Sequence, residues 1–373
     1  MSAKAPDQET QPDIDFGLFD WLDANPGRTA GDVYDARLRI LGEADRSAFS
    51  VYHLAEHHGT PLGLAPSPAL LVAAAARVTE RIRLAPTTLV LPLYDPMRLA
   101  QEIAMLDQLT HGRLDIGVGK GSSPYEAAMY GLTPQEAAQR FETVLPCILD
   151  ALETGWFRRP AGDGAPAESV ESVELHVPVH QRPHPPLWYP TSNPASIPRL
   201  GEQGYNVLFG FGFVSPALDV VREQSRTFFH RYRASEARGG ARCGLPGRRP
   251  RFGVMRHVLV APTDEEAIDI GRAAFADHYA SFTHLWRLHG SDRFSTPVDF
   301  DQLVVERKVL VGSPESVSAQ VVEAVTTGEV NYLAGAFAWG SMDVDVALRS
   351  LRLFRDEVIP AVHRNVSSAI APT

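Results

Sequence analysis

The feature that most constrains this chain is a repeated alternation. Short apolar, β-favouring runs are each followed by a stretch with apolar residues at helical spacing, over almost the whole length. Strand candidates fall at 14–19, 50–55, 82–91 and 114–118. They continue at 187–190, 205–210, 252–260 and 330–337. Between them lie amphipathic segments such as 99–109, where Leu99, Ile103, Leu106 and Leu109 share one helical face. A strand, a helix and a further strand in the same sheet imply parallel pairing with right-handed crossovers. Eight such units without a composition break predict a single (β/α)8 barrel, with a doubly wound open sheet as the alternative.

Polar–proline pairs mark where helices start: Ser67–Pro68, Asp95–Pro96, Thr133–Pro134, Asn193–Pro194, Ser215–Pro216 and Ser313–Pro314. The polar side chain can accept from a free backbone N–H, and proline lacks only an N–H that has no helical partner there. Two segments interrupt the alternation. Residues 157–186 are rich in proline and glycine around V-E-S-V-E-L-H-V, which reads as a hairpin insertion. Residues 275–306 become polar and irregular, as expected of a lid. The barrel is expected over 13–365, between tails at 1–12 and 366–373.

Bulk chemistry narrows the function classes. The formal net charge of −10 argues against nucleic acid and anionic membrane as partners. No apolar run approaches the roughly 20 residues that span a bilayer. The N-terminal stretch lacks a signal-peptide core, so a cytoplasmic protein is expected. Two cysteines, Cys147 and Cys243, are too few for a disulfide framework or a cysteine-rich metal site.

In a barrel, chemistry sits on the loops leaving the C-terminal ends of the strands. Glu56-His57-His58 lies there, after the second strand. Adjacent side chains tend to point opposite ways, and no third ligand is evident, so no metal is expected. Acid–base work by a histidine fits the position better, and simple packing of one of the pair remains open. The run G-V-G-K-G-S at 117–122 leaves the fourth strand. Leu114 and Gly121 break the P-loop pattern, and no further glycine completes a dinucleotide fingerprint. It is either a tight turn or a loop presenting Lys120 to a ligand anion. T-S-N-P-A-S at 191–196 offers hydroxyls at a helix start, for capping or for a phosphate. Phe19, Trp21, Phe337 and Trp339 end the first and last strands, which are neighbours in a closed barrel. They read either as substrate-pocket walls or as barrel-mouth core.

From Glu56 to Gly131 the residues resemble a known family. E-H-H-G-T, S-P-A-L-L-V-A-A-A-A-R-V-T-E-R-I-R-L and V-L-P-L-Y-D-P-M-R-L-A-Q-E-I-A-M-L-D-Q-L-T-H-G-R-L-D-I-G-V-G-K-G are similar to the bacterial luciferase-like, flavin-dependent monooxygenases, in their alkanal-monooxygenase branch. V-G-S-P-E-S-V and R-L-F-R-D-E-V-I-P near the end add to the likeness. The resemblance implies a barrel that binds FMN as FMNH2, forms a flavin C4a-(hydro)peroxide with O2, and oxygenates a small organic substrate. A separate NAD(P)H-flavin reductase and a homodimer are implied with it. His57 matches the family's catalytic histidine and His58 its supporting neighbour. Lys120 matches the phosphate-contacting basic residue, beside Gly119. Ser192, Asn193 and Ser196 match the phosphate-binding stretch after the fifth strand, and a cis peptide is implied at Thr87–Thr88. Gly119 and Asp95 stand where the luciferases carry a cysteine and a histidine, which departs from aldehyde bioluminescence. An F420-dependent hydride-transferring enzyme and a non-catalytic flavin binder are the alternatives on the same barrel.

Overall fold

A computed structural model describes residues 14–159, 172–240, 243–244, 248–296 and 298–368. The chain opens with β1 (Asp15–Asp20), α1 (Ala30–Ala44), β2 (Phe49–Leu54), α2 (Pro68–Ala75), β3 (Arg83–Pro86), β4 (Leu89–Val90), α3 (Pro96–Leu109), β5 (Ile116–Gly119), α4 (Pro124–Met129) and α5 (Pro134–Thr154). It continues with β6 (Trp156–Arg158), β7 (Ser172–Glu174), β8 (Leu187–Thr191), α6 (Ile197–Gln203), β9 (Asn206–Phe211), α7 (Leu218–Glu236), β10 (Phe252–Val260) and α8 (Asp264–Phe282). It ends with α9 (His284–Leu288), α10 (Phe300–Val305), β11 (Val309–Gly312), α11 (Pro314–Gly328), β12 (Tyr332–Ala336), α12 (Val344–Leu353) and α13 (Ile359–Ser368).

Hydrogen-bonded neighbours run β3-β2-β1-β12-β10-β9-β8-β5-β4, and the pairing is parallel throughout. The expected third strand, 82–91, is broken. The Thr87–Thr88 peptide is cis, and β3 and β4 are the two halves of one stave on either side of it. β4 sets Leu89 opposite Val118 and Val90 opposite Gly119 of β5. The β3 half reaches the same neighbour through Leu84. Its N–H donates to Arg113 O at 2.9 Å, and its carbonyl accepts from Asp115 N–H at 3.0 Å. The ring therefore closes on eight staves, and the chain is a (β/α)8 barrel.

Helices cover the outside of the ring, so strand residues are buried on both faces. β9 and β10 are buried almost without interruption, and period-two alternation is absent from them. Most polar–proline pairs open helices as expected. Thr133 and Glu136 form a full capping box on α5, while Asp95 and Ser313 cap α3 and α11. Ser215–Pro216 does not. The buried Ser215 hydroxyl accepts from Arg256 Nη1 at 2.9 Å, and α7 begins later, at Leu218. A buried guanidinium needs a partner more than a helix end near solvent does.

Other departures are local. β11 was not anticipated. Four residues, Val309–Gly312, pair with the far half of β10, from His257 to Val260. The expected lid, 275–306, is largely helical. Phe275 and His278 are buried in α8, and Asp299 caps α10, which buries Phe300 and Leu303. β6 and β7 pair antiparallel within the expected insertion, with Trp156 opposite Glu174. α13 continues through Ser368, so helix occupies the first residues of the expected 366–373 tail. The N-terminal tail expected at 1–12 lies outside the described residues. Among those residues no helix is long and apolar enough to cross a membrane.

Two histidines belong to the barrel interior. His53 and His257 are fully buried, and burial drives both pKa values well below the ordinary imidazole value. Arg251 adds to this at His53, and His278 and Arg256 add to it at His257. Both are neutral when folded but take up a proton near pH 6.5 when unfolded. The unfolded chain then binds more protons, so this contribution is full above about pH 6.5 and is lost as pH falls below it. The loss is about 1.4 kcal/mol per pH unit for each histidine. Neither His257 ring nitrogen has a hydrogen-bond partner among the described residues. The variant His257→Leu is therefore expected to match or exceed wild-type stability at pH 7.5, and to lose stability less steeply towards pH 5.5. Urea unfolding at the two pH values checks this; an unchanged slope refutes it.

Candidate functional site

The C-terminal ends of the staves surround a cavity of about 550 Å³, within the usual range of small-molecule clefts. Its floor includes Thr87, Thr88 and Gly119. Glu56 and His57 come from the exit of β2, and Lys120 to Ser123 from the exit of β5. The exit of β8 supplies Thr191, Ser192 and Asn193.

Close strand approach explains the glycines of β5. A Cβ at Gly117 would lie 2.6 Å from Pro86 O, and one at Gly119 would lie 2.8 Å from Thr88 Cγ2. Only glycine lets β5 run this close to the Thr87–Thr88 floor. Thr87 is held from beneath. Its hydroxyl bonds His53 Nδ1 at 2.9 Å, and His53 Nε2 bonds Tyr332 OH at 2.9 Å.

The two adjacent histidines diverge. His57 lines the cavity, and its Nδ1 bonds Glu126 Oε1 at 2.9 Å. With Nδ1–H donating to that carboxylate, Nε2 is left to act at the cavity. His58 lies outside the lining and has neither nitrogen to spare. Its Nε2 bonds Glu56 Oε1 at 2.8 Å, and its Nδ1 bonds Tyr130 OH at 2.9 Å. No hydrogen bond joins the rings of His57 and His58. The expectation that His58 orients His57 is therefore replaced: Glu126 does so.

Glu56 organises the cavity wall. Its Oε2 accepts from Val90 N–H at 3.1 Å and from Tyr94 OH at 2.7 Å. Burial, and then the Glu56 charge, raise the Tyr94 pKa, so the phenol stays protonated as a donor. Glu126, Tyr94 and Tyr130 were missed in the sequence. Ser123 and Glu126 do have capping-box spacing, and Ser123 accepts from Glu126 N–H at 3.3 Å. The Glu126 carboxylate turns inward to His57 instead of closing the box, and that turn follows from the fold alone.

The remaining expected residues divide. Ser192 and Asn193 line the cavity with Lys120 and Gly119, but Ser196 does not. Its hydroxyl donates to Asn193 O at 2.7 Å and lies 3.3 Å from Thr191 Oγ1. The Asn193 side chain accepts from Ala195 N–H at 3.1 Å, so this stretch also caps its own turn. Phe19 and Trp21 line the cavity and pack on each other, with centroids 4.7 Å apart. Phe337 and Trp339 do not reach it. Phe337 packs on Phe49 and Phe354, and Trp339 packs on His257, so these two are core.

A further wall faces these groups. Phe282, Leu285, Trp286, Arg293 and Phe294 line the cavity from α8, α9 and the turn that follows. The hydroxyls of 191–192 and the Lys120 cation suit a phosphate, and the flat floor beside apolar walls suits an aromatic ring system. The residues present therefore fit a flavin mononucleotide.

The chain matches the luciferase-like monooxygenase family over residues 14–329. It is 29% identical over 255 residues to the oxygenase component of a flavin-dependent trigonelline monooxygenase from Acinetobacter baylyi, covering 68% of this chain and 66% of that protein. It is 26% identical to 3,6-diketocamphane 1,6-monooxygenase from Pseudomonas putida, over 94% of this chain and 98% of that one. The solved structure of the oxygenating constituent of 3,6-diketocamphane monooxygenase from Pseudomonas putida, in complex with FMN, superposes with a TM-score of 0.74. It shares 22% identity over 94% of this chain and 98% of that one, which shows a shared fold.

Proposed function

Because the chain belongs to the luciferase-like monooxygenase family, we propose that it is the oxygenase component of a two-component, FMNH2-dependent monooxygenase acting on a small organic substrate. The observation that carries this reading is the convergence, at one barrel mouth, of the His57–Glu126 pair, the Thr87–Thr88 floor and the Lys120–Ser192 edge. The trigonelline relative is named as an oxygenase component, which supports a separate NAD(P)H-flavin reductase as partner.

When bound, reduced flavin supplies two electrons to O2, so that one oxygen atom enters the substrate and the other leaves as water. The residues of the chain supply the rest. Lys120, with the hydroxyl and backbone N–H of Ser192, binds the phosphate. Thr87, Thr88 and Gly119, on the cavity floor, would hold the flavin ring. His57 holds or delivers a proton at Nε2, while Glu126 fixes the ring through Nδ1. Phe19, Trp21, Phe282 and Trp286 exclude water and seat an apolar substrate. Within the expected lid, 275–306, the part that follows α8 serves to close the cavity, since Leu285, Trp286 and Phe294 line it from there. A homodimer is part of the reading, as the family likeness implies.

The test is anaerobic titration with FMNH2 and, separately, with reduced F420, followed by admission of air and stopped-flow absorbance. Tight FMNH2 binding and O2-dependent flavin oxidation support the reading. Preferential F420 binding without O2 chemistry would replace it with hydride transfer. Lys120→Ala is expected to weaken FMNH2 about ten- to a hundredfold, the value of one charge-assisted contact. Wild-type affinity in that variant would remove Lys120 from the phosphate site.

A further inference from the structure

The cavity carries a second cation for which flavin binding gives no task. Arg293 lies on the lid-side wall, in the turn Asp292–Phe294 that Ser291 caps. Its guanidinium stacks over Trp286, 4.5 Å from the ring centroid, and lies 5.5 Å from that of Phe294. Both rings are themselves cavity walls. Trp286 is braced in turn: Phe294 packs edge-on at 5.7 Å and Tyr125 at 5.1 Å, and His289 stacks on Tyr125 at 4.4 Å. The guanidinium makes no ion pair and no side-chain hydrogen bond among the described residues.

An aromatic platform fixes the direction of an arginine without using its donors. The side chain then meets a ligand with little rotamer entropy left to lose. The two carboxylates on the same lining, Glu56 and Glu126, are each engaged by a histidine, at 2.8 and 2.9 Å. Neither neutralises Arg293. The aromatic wall around it suits a planar or alicyclic body, and the fork of donors suits a carboxylate.

Resting on the flavin reading above, we infer that the substrate is an apolar ring or chain bearing a carboxylate, and that Arg293 is the group that binds the carboxylate. Lys120, on the exit of β5, takes the flavin phosphate, and Arg293, on the lid, takes the substrate's charge. In a chain of net charge −10, an anionic substrate needs such a local cation to enter.

The probes are naphthalene-1-carboxylate and 1-acetylnaphthalene, similar in shape and different in charge. They are titrated calorimetrically into wild type, Arg293→Gln and Arg293→Lys, with and without saturating FMN. Wild type should bind the carboxylate about tenfold or more tightly than the ketone, as one charge-assisted contact implies. Arg293→Gln should erase that preference and leave ketone affinity within about twofold, since the aromatic wall stays in place. Arg293→Lys should keep part of it. Equal affinities in wild type, or a preference that survives in Arg293→Gln, would overturn the assignment. So would a large loss of FMN affinity in Arg293→Gln, which would give this cation to the flavin phosphate. If FMNH2 fails to bind wild type in the anaerobic titration above, the flavin reading falls, while the titrations without FMN still decide Arg293.

Discussion

Replacement of His57 by alanine should lower product-forming turnover by about 10²–10⁴-fold, the usual contribution of a positioned acid–base group, with the fold intact. The asymmetry of the histidine pair motivates this. His57 lines the cavity with one nitrogen held by Glu126, whereas both nitrogens of His58 are bonded elsewhere. His57 sits at the mouth, above the packed staves, so its loss opens no void in the barrel core. FMNH2 affinity should stay within a few-fold, because no expected phosphate contact involves it. Without a proton held at Nε2, more of the O2 consumed should appear as H2O2 and less as product. Turnover, H2O2 yield and thermal unfolding are measured together. Unchanged turnover with a large drop in melting temperature would make the residue structural. Glu126→Gln keeps the hydrogen-bonding shape but removes the charge, and it should lower turnover in the same direction by a smaller factor.

Glu56→Ala is expected to act in the opposite way, on stability first. Glu56 is 4% exposed, and three donors converge on its carboxylate: His58 Nε2, Val90 N–H and Tyr94 OH. Alanine would leave all three facing a void. A buried donor left without a partner costs about 1–3 kcal/mol, and the three losses are not additive, so about 3–5 kcal/mol is expected in total. Val90 belongs to β4, which starts immediately after the Thr87–Thr88 floor. Flavin affinity should therefore fall together with stability, unlike in His57→Ala. Urea unfolding and FMNH2 titration of the same protein provide the measurement. A stability loss below about 1 kcal/mol would show that Glu56 is not the organising carboxylate of this wall.

The barrel was legible in the sequence because its determinants are local. Apolar runs separated by amphipathic helices, with proline after a capping residue, depend on neighbours along the chain. The eight strand candidates lie on the eight staves for the same reason. Position after a strand was likewise enough to put His57, Lys120 and Ser192 near one mouth, since every parallel strand exits at the same end. What the sequence left undecided depends on groups far apart in the chain. Ser215 looks like a helix cap, and only the approach of Arg256 engages its hydroxyl elsewhere. Phe337 and Trp339 share the composition of Phe19 and Trp21, and only the partners that the fold brings to them, Phe49, Phe354 and His257, make the first pair core while the second pair lines the cavity. Between His57 and His58, the sequence shows two equal imidazoles. The tertiary structure separates them, because Glu126, 69 residues away from His57, arrives at one ring, and Glu56 and Tyr130 close around the other. Hydrogen bonding is directional and short-ranged, so which nitrogen stays free is settled by which donors and acceptors the fold brings within about 3 Å.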